Sequence, residues 1–302
     1  MQFIVEEQHN GKTIRDYLRL KGISAALLAK LKRHEQGIML EGARVTVRAL
    51  LKAGDTLTLA IEDEQGNEKI LPLEKEVETV LETDDFVAVN KPPFMPTHPS
   101  HGHFDDTLAN ALVWRYGAHF VPRFINRLDR NTSGLVLVAK HHLSATALAR
   151  AMAAGGIKKI YYAVANGPIE GETVLKTGIR RKSESVIYRE VCREEEGDLA
   201  ITQITPLATN GTLTLLRLAP QTGRTHQLRV HMAHLGAPLL GDELYGTPDE
   251  RFARHALHAA KMSFPHPVTG DICTLHAPLA PDMAALIADA FGKEALALVQ
   301  EN

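Results

Sequence analysis

GLVLVA at 134–139, unbroken by any polar residue, reads as a buried strand, and FVAVN at 86–90 reads the same way. Beyond residue 80 such runs alternate with helical ones, and the turn residues between them suit antiparallel or mixed pairing, which restricts the chain to an α+β class. Leu143 to Ala154 is rich in Ala and Leu and stops at Gly155 and Gly156, as a helix does. It leads into KIYYAVANG, a strand ending at Asn166 and Gly167, and TLTLLRLAP at 212–220 forms another. In THQLRVHMAHLG the spacing of Leu228, Met232 and Leu235 before Gly236 predicts an amphipathic helix from near Thr225.

The 302 residues, 44% apolar and 23% charged, suit an ordinary soluble protein of two domains. A formal charge of -2 announces no polyanion partner overall, so any such site must be local. Residues 1–60 carry ten Lys/Arg against six acids, whereas residues 61–80 carry seven acids against Lys69 and Lys75, with Gly66, Asn67 and Pro72 interspersed. The expected division is therefore 1–62, an acidic linker over 63–79, and a larger domain over 80–302. Cys192 and Cys273 alone exclude a disulfide scaffold or a CxxC metal knuckle and suit a reducing cytosol. MQFIVEEQHN has no basic leader and no run of about 18 apolar residues occurs, so the expectation is a cytoplasmic protein with no membrane partner.

Residues 121–160 hold seven Lys/Arg and one acid, Asp129, between Arg127 and Arg130 in FINRLDRNTSGLVLVAK. An Asp among arginines is commonly a loop salt bridge. A second motif changes the balance: QTGRTHQLRVHMAHLGAPLLGDELYG at 221–246 adds Arg224, Arg229 and three histidines before its first acid, Asp242, and opens a helix whose N-terminus attracts anions. A carboxylate facing that surface stays ionised. Arg224, beside the helix start, is a candidate phosphate or base contact. His226, His231 and His234 invite a metal site, but His226 and His231 would stand about 140° apart on a helix and HExxH is absent.

Several ordered motifs over roughly residues 80–280 carry a resemblance: VNKP at 89–92, RLDRNTSG at 127–134, KIYYA at 159–163, TGRTHQLRVHMAHLG at 222–236, GDELYG at 241–246, and HALHA followed by HPVTG at 255–270. In these the chain resembles the RluA-type pseudouridine synthases, which isomerise selected uridines in RNA. It departs at Asn126, where the family usually has His. Residues 1–62, ending in LKAGDTLTL at 51–59, resemble a diverged S4-type α/β RNA-binding module.

The resemblance implies a catalytic domain built on a mixed, largely antiparallel sheet, with Asp129 as the catalytic carboxylate. It implies that Arg229 pairs with Asp129, that Tyr161 stacks on the flipped base and assists proton removal at C5, and that Arg127 helps displace the target nucleotide. Period two turns Tyr162 to the other sheet face. Making pseudouridine breaks the N1 to C1′ bond, turns the uracil and joins C5 to C1′. The reaction is balanced without redox change or hydrolytic water, so no cofactor or metal is expected. Asp129 can attack C1′ or take the C2′ proton to give a glycal, and both routes stay open. The implied partner is structured ribosomal or transfer RNA, and the expected state is a monomer. The rivals are a catalytically silent RNA-binding protein and a metal-dependent nuclease or glycosidase.

Overall fold

The structure is a computed structural model that describes residues 2–21, 23, 25–60, 70–182 and 187–301. At the N-terminus, β1 (Gln2–Ile4), β2 (Ile38–Leu40), β3 (Ala43–Arg44) and β4 (Thr56–Leu59) form an antiparallel sheet in the order β1-β4-β2-β3. Two helices accompany it, α1 (Ile14–Leu20) and α2 (Ala25–Arg33). The Thr13 side chain caps α1 by accepting the Asp16 N–H at 3.1 Å. Phe3, Ile14, Tyr17, Leu18, Leu57 and Leu59 fill the small core, and Leu143 and Val268 from the rest of the chain pack into it. Of the acidic segment 63–79, residues 63–69 lie outside the described residues, and Glu78 and Thr79 already belong to the next strand.

Eleven strands follow: β5 (Glu78–Glu82), β6 (Phe86–Lys91), β7 (Arg123–Phe124), β8 (Ser133–Ala139), β9 (Lys158–Asn166), β10 (Thr173–Arg181), β11 (Arg189–Cys192), β12 (Asp198–Thr209), β13 (Leu213–Pro220), β14 (Leu257–Pro265) and β15 (Ile272–His276). Their order is β11-β10-β12-β13-β9-β14-β8-β6-β5, with β15 on β14 and β7 on β8. All these pairings are antiparallel except β14 with β8, which is parallel and pairs His258 with Ser133 and Ala259 with Gly134. The sheet is mixed and largely antiparallel, and with α3 (Leu108–Tyr116), α4 (His142–Ala153), α5 (Gln227–His234) and α6 (Pro281–Glu301, broken at Gly292) the fold is α+β.

The unbroken apolar run of β8 has the consequence that its composition demands: both faces are covered. Val136 and Val138 join a core with Val87, Val89, Tyr161 and Met232, while Leu135, Leu137 and Ala139 join another with Phe86, Leu148 and Phe264. Strand β9 divides likewise, Tyr161 and Ala163 facing the first core and Tyr162 and Val164 a third that contains Met283 and Ile287 of α6. Helix α5 starts at Gln227, two residues later than its spacing suggested, because His226 takes a left-handed φ of 57° as its N-cap. Leu228 and Met232 are buried as expected, but Leu235, placed on the apolar face by its spacing, is 38% exposed beyond the last turn. Among the described residues no helix is long and apolar enough to cross a membrane.

Gly134 makes the β8–β14 approach possible. It has φ 113°, and a Cβ there would stand 2.2 Å from the Ala259 carbonyl oxygen. Gly134→Ala should therefore cost about 2 kcal/mol or more, from backbone strain and a clash that only backbone movement relieves. A melting temperature equal to that of the unaltered protein would contradict this account of the junction.

Candidate active site

The segment joining β7 to β8 is held by Thr97, whose hydroxyl donates to the Leu128 carbonyl at 2.9 Å and accepts the Leu128 N–H at 3.3 Å. Leu128 is thereby turned into the core, and its neighbours Arg127 and Asp129 line a cleft of about 1360 Å³. The turn closes where the Thr132 N–H donates to the Asp129 carbonyl at 3.0 Å. Beneath it the buried Lys91 ammonium donates to the carbonyls of Pro92 and Met95, each at 2.8 Å, and of Arg130 at 3.1 Å. Burial lowers Lys91 to about 7, against the attraction of Asp129.

Arg229 connects this turn to α5. Its Nε and one terminal nitrogen donate to the two oxygens of Asp242 at 2.8 and 2.7 Å, and the other terminal nitrogen donates to Asp129 Oδ2 at 3.1 Å. Asp242 is fully buried and also accepts the N–H groups of Leu244 and Tyr245, whereas the Asp129 side chain keeps 27% of its surface exposed to the cleft. Burial works against ionisation of Asp129, but neighbouring His226, Arg229 and His255 and the Arg229 hydrogen bond outweigh it and hold the carboxyl below its usual value. Burial lowers His226 and His255, so at pH 7 the permanent charge facing Asp129 is the Arg229 guanidinium, and the two rings add their charge to it only where acid protonates them.

A relay of hydrogen bonds orients His226. The Arg189 N–H donates to the Tyr245 hydroxyl at 3.0 Å, and the same hydroxyl is hydrogen-bonded to His226 Nδ1 at 2.8 Å. With Nδ1 so engaged, the ring turns Nε2 toward Asp129, 3.9 Å from its Oδ2. The Tyr245 ring also stacks beneath the Arg229 guanidinium at 5.1 Å.

The structure brings all five sequence-derived residues to one cleft. Asp129, Arg229, Tyr161, Arg127 and Arg224 all line it. Tyr161 is nearly buried, its hydroxyl pushed well above its usual range by burial and by Asp129, while Tyr162 faces the opposite core. Arg127 and Arg224 are exposed at the rim, where Arg224 Nε donates to the Leu199 carbonyl at 3.0 Å. Arg130, Lys159, Arg181 and Arg189 complete a cationic lining in which Asp129 is the one carboxylate among the described residues. Asn126 does not reach Asp129: it donates to the Leu135 carbonyl at 3.0 Å and accepts the Leu137 N–H at 2.8 Å, bracing β8. His231 is spent on Thr177 and Thr202 in the core, pointing away from His226.

Against known proteins, a family model described as RNA pseudouridylate synthase matches residues 85–234. Over 279 residues the chain is 36% identical to the uncharacterized RNA pseudouridine synthase YjbO of Bacillus subtilis (strain 168), spanning 91% of this chain and 98% of that one. The chain belongs to the RluA-type RNA pseudouridine synthase family. Ribosomal large subunit pseudouridine synthase D of Haemophilus ducreyi is 38% identical over 226 residues, 69% of each chain. The solved structure of human RNA pseudouridylate synthase domain containing 1 aligns with 70% of this chain and 87% of its own, at 27% identity and a TM-score of 0.58. The protein is thus an RNA pseudouridine synthase, an isomerase of RNA modification.

Four participants in the synthase cleft were not singled out in the sequence: Asp242, His226 in this orientation, Tyr245 and Lys91. Asp242 left a usable signal, since it is the first acid after an acid-free stretch and a buried Arg229 requires a carboxylate. The ring of neutral histidines around the turn has a further effect. Thr132 bonds His255 at 2.7 Å and Ser133 bonds His258 at 2.9 Å. Burial lowers His255 to about 3 and His231 and His258 each to about 4. Because the unfolded chain takes up these protons near pH 6.5 and the folded one does not, the stability they contribute is full above that pH and falls as pH drops toward 3–4. Urea unfolding should lose on the order of 1–2 kcal/mol per histidine between pH 7 and pH 5, and a flat profile over that range would refute their neutral burial.

Proposed function

We propose that this synthase isomerises a uridine in structured RNA, ribosomal RNA first, with Asp129 acting at C1′ after the nucleotide has been turned out of its helix. The observation that carries this reading is a carboxylate that stands alone among the described residues of a cationic cleft, kept ionised by an arginine that is itself anchored on a second, buried carboxylate. C1′ and the faces of uracil are inaccessible in a stacked helix, which is why the target must leave it. As the N1 to C1′ bond breaks, positive charge develops on the sugar and uracil departs as a delocalised anion, so one carboxylate suffices where glycosidases use two. Asp129 either bonds to C1′ and is displaced when C5 takes its place there, or removes the C2′ proton and returns it to C2′ as C5 bonds to C1′. Uracil then turns, C5 bonds to C1′, and the C5 proton is lost while N1 gains one.

Within this proposal Tyr161 stacks on the extruded base, Arg127 fills the gap it leaves, and Arg224 meets a phosphate. Ribosomal RNA is favoured by relatives such as the Haemophilus ducreyi enzyme, whose name places its action in the large ribosomal subunit. The N-terminal four-stranded sheet and its two helices are proposed as the S4-like accessory surface for RNA, and the enzyme as a cytoplasmic monomer that needs no cofactor.

Asp129→Asn should abolish tritium release from C5-labelled uridine RNA while preserving the fold, because Arg229 keeps its bidentate bond to Asp242. Turnover near that of the unaltered enzyme would overturn the assignment. Tyr161→Phe should retain substrate affinity that Tyr161→Ala loses, by about 1–3 kcal/mol, the worth of one base stacked on an aromatic ring. Equal affinities for the two variants would remove Tyr161 from the stacking role.

A further inference from the structure

One face of β10 runs from the core to the cleft. Thr177 bonds His231 at 3.1 Å, Ile179 packs with Val230 of α5, and Arg181 comes next on that face, at the cleft wall. Strand β11 matches it residue for residue: Val191 opposes Ile179 and Arg189 opposes Arg181. On the other face of the same hairpin Arg180 opposes Glu190, which accepts its Nε at 2.9 Å, and Glu196 accepts a further bond at 3.1 Å. The hairpin therefore matches opposite charges on its outer face and sets like charges against each other on its cleft face. Two arginines directly opposed across an antiparallel pair bring two guanidinium forks to one anion-sized place on the cleft face.

Arg181 is exposed at the cleft and pairs with none of the described residues. Arg189 has a fixed direction, because one of its terminal nitrogens donates to the carbonyls of Ile187 at 3.2 Å and Tyr188 at 3.1 Å. Its backbone N–H holds Tyr245, which holds His226 beside Asp129. The cationic pair is thus tied by two hydrogen bonds to His226, whose Nε2 stands 3.9 Å from the Asp129 carboxylate.

We propose that Arg181 and Arg189 clamp one phosphodiester group of the RNA strand flanking the target uridine. The clamp rests on the reading of this cleft as the RNA site, and it names the group held there and the residues holding it. Planar guanidinium forks bind phosphate oxygens in pairs, which fixes direction as well as position. The bond chain through Tyr245 and His226 then sets how far along the strand from the held phosphate the attacked sugar must lie.

The test compares full-length Arg181→Gln, Arg181→Lys and Arg180→Gln with the unaltered enzyme, each first shown to melt as it does. RNA affinity over a range of salt and the KM and kcat for tritium release are measured on one structured RNA. Arg181→Gln should raise KM about tenfold, as expected for a lost charge-assisted contact, with kcat at saturating RNA little changed. Its plot of log affinity against log salt should be shallower by about 0.7–0.9, the value for one phosphate contact. Arg181→Lys should keep the salt slope and lose part of the affinity, since it keeps the charge without the fork. Arg180→Gln, with the same charge change on the other face, should alter neither quantity. An unchanged slope in Arg181→Gln, or an equal change in Arg180→Gln, overturns the clamp. The binding measurement does not depend on turnover, so an enzyme inactive toward every RNA would defeat the functional reading and still leave the clamp decided by the slopes.

Discussion

Arg229 stands between two carboxylates that have different tasks. Asp242, buried and bonded by both its oxygens, fixes the guanidinium in its plane, and the remaining nitrogen is presented to Asp129. An arginine buried without Asp242 would be an uncompensated charge, and one without Asp129 would waste its orientation. The rest of the molecule can be understood as what keeps these three groups in register: Thr97 and Lys91 shape the turn that bears Asp129, α5 carries Arg229, and the turn after Asp242 returns Tyr245 to pack against the guanidinium.

The arrangement also separates charge from access. Asp242 is sealed and serves as a fixed counter-ion, while Asp129 keeps an open side toward the cleft. The histidines around it are desolvated and neutral, so they orient through hydrogen bonds without adding charge that would compete for the carboxylate. Cations gather at the rim instead, where a polyanion would meet them first.

Much of this was legible because it is written locally. The unbroken run of β8 required cover on two faces, and period two in KIYYA sent Tyr161 and Tyr162 into different cores. Asp129 was conspicuous as one acid in a basic field. What escaped depends on partners distant along the chain. Nothing near Lys91 says that its ammonium will join the carbonyls of its own segment to that of Arg130 beside Asp129, and nothing near Tyr245 says that its hydroxyl will bond His226. Helix α5 starts two residues beyond Thr225 because His226 takes a left-handed backbone, which is uncommon for a residue with a side chain and which spacing alone does not mark. Leu235 was misassigned for a simpler reason: spacing identifies a face but not the turn at which the helix leaves the core.

The large sheet is continuous, yet its two halves meet at β14 and β8 through only two paired positions. Asp129 belongs to the half containing β8, whereas Tyr161 and Arg229 belong to the half containing β9 and β13. The seam is fastened by Thr132 to His255, Ser133 to His258 and Arg254 to the Asn131 carbonyl, all within one turn of the carboxylate. A chain with either half formed alone has a strand, a helix and a cleft wall, but in it Asp129 does not meet Tyr161 and Arg229. Their meeting is therefore a property of the finished molecule, in which β14, from late in the chain, joins β8 to β9.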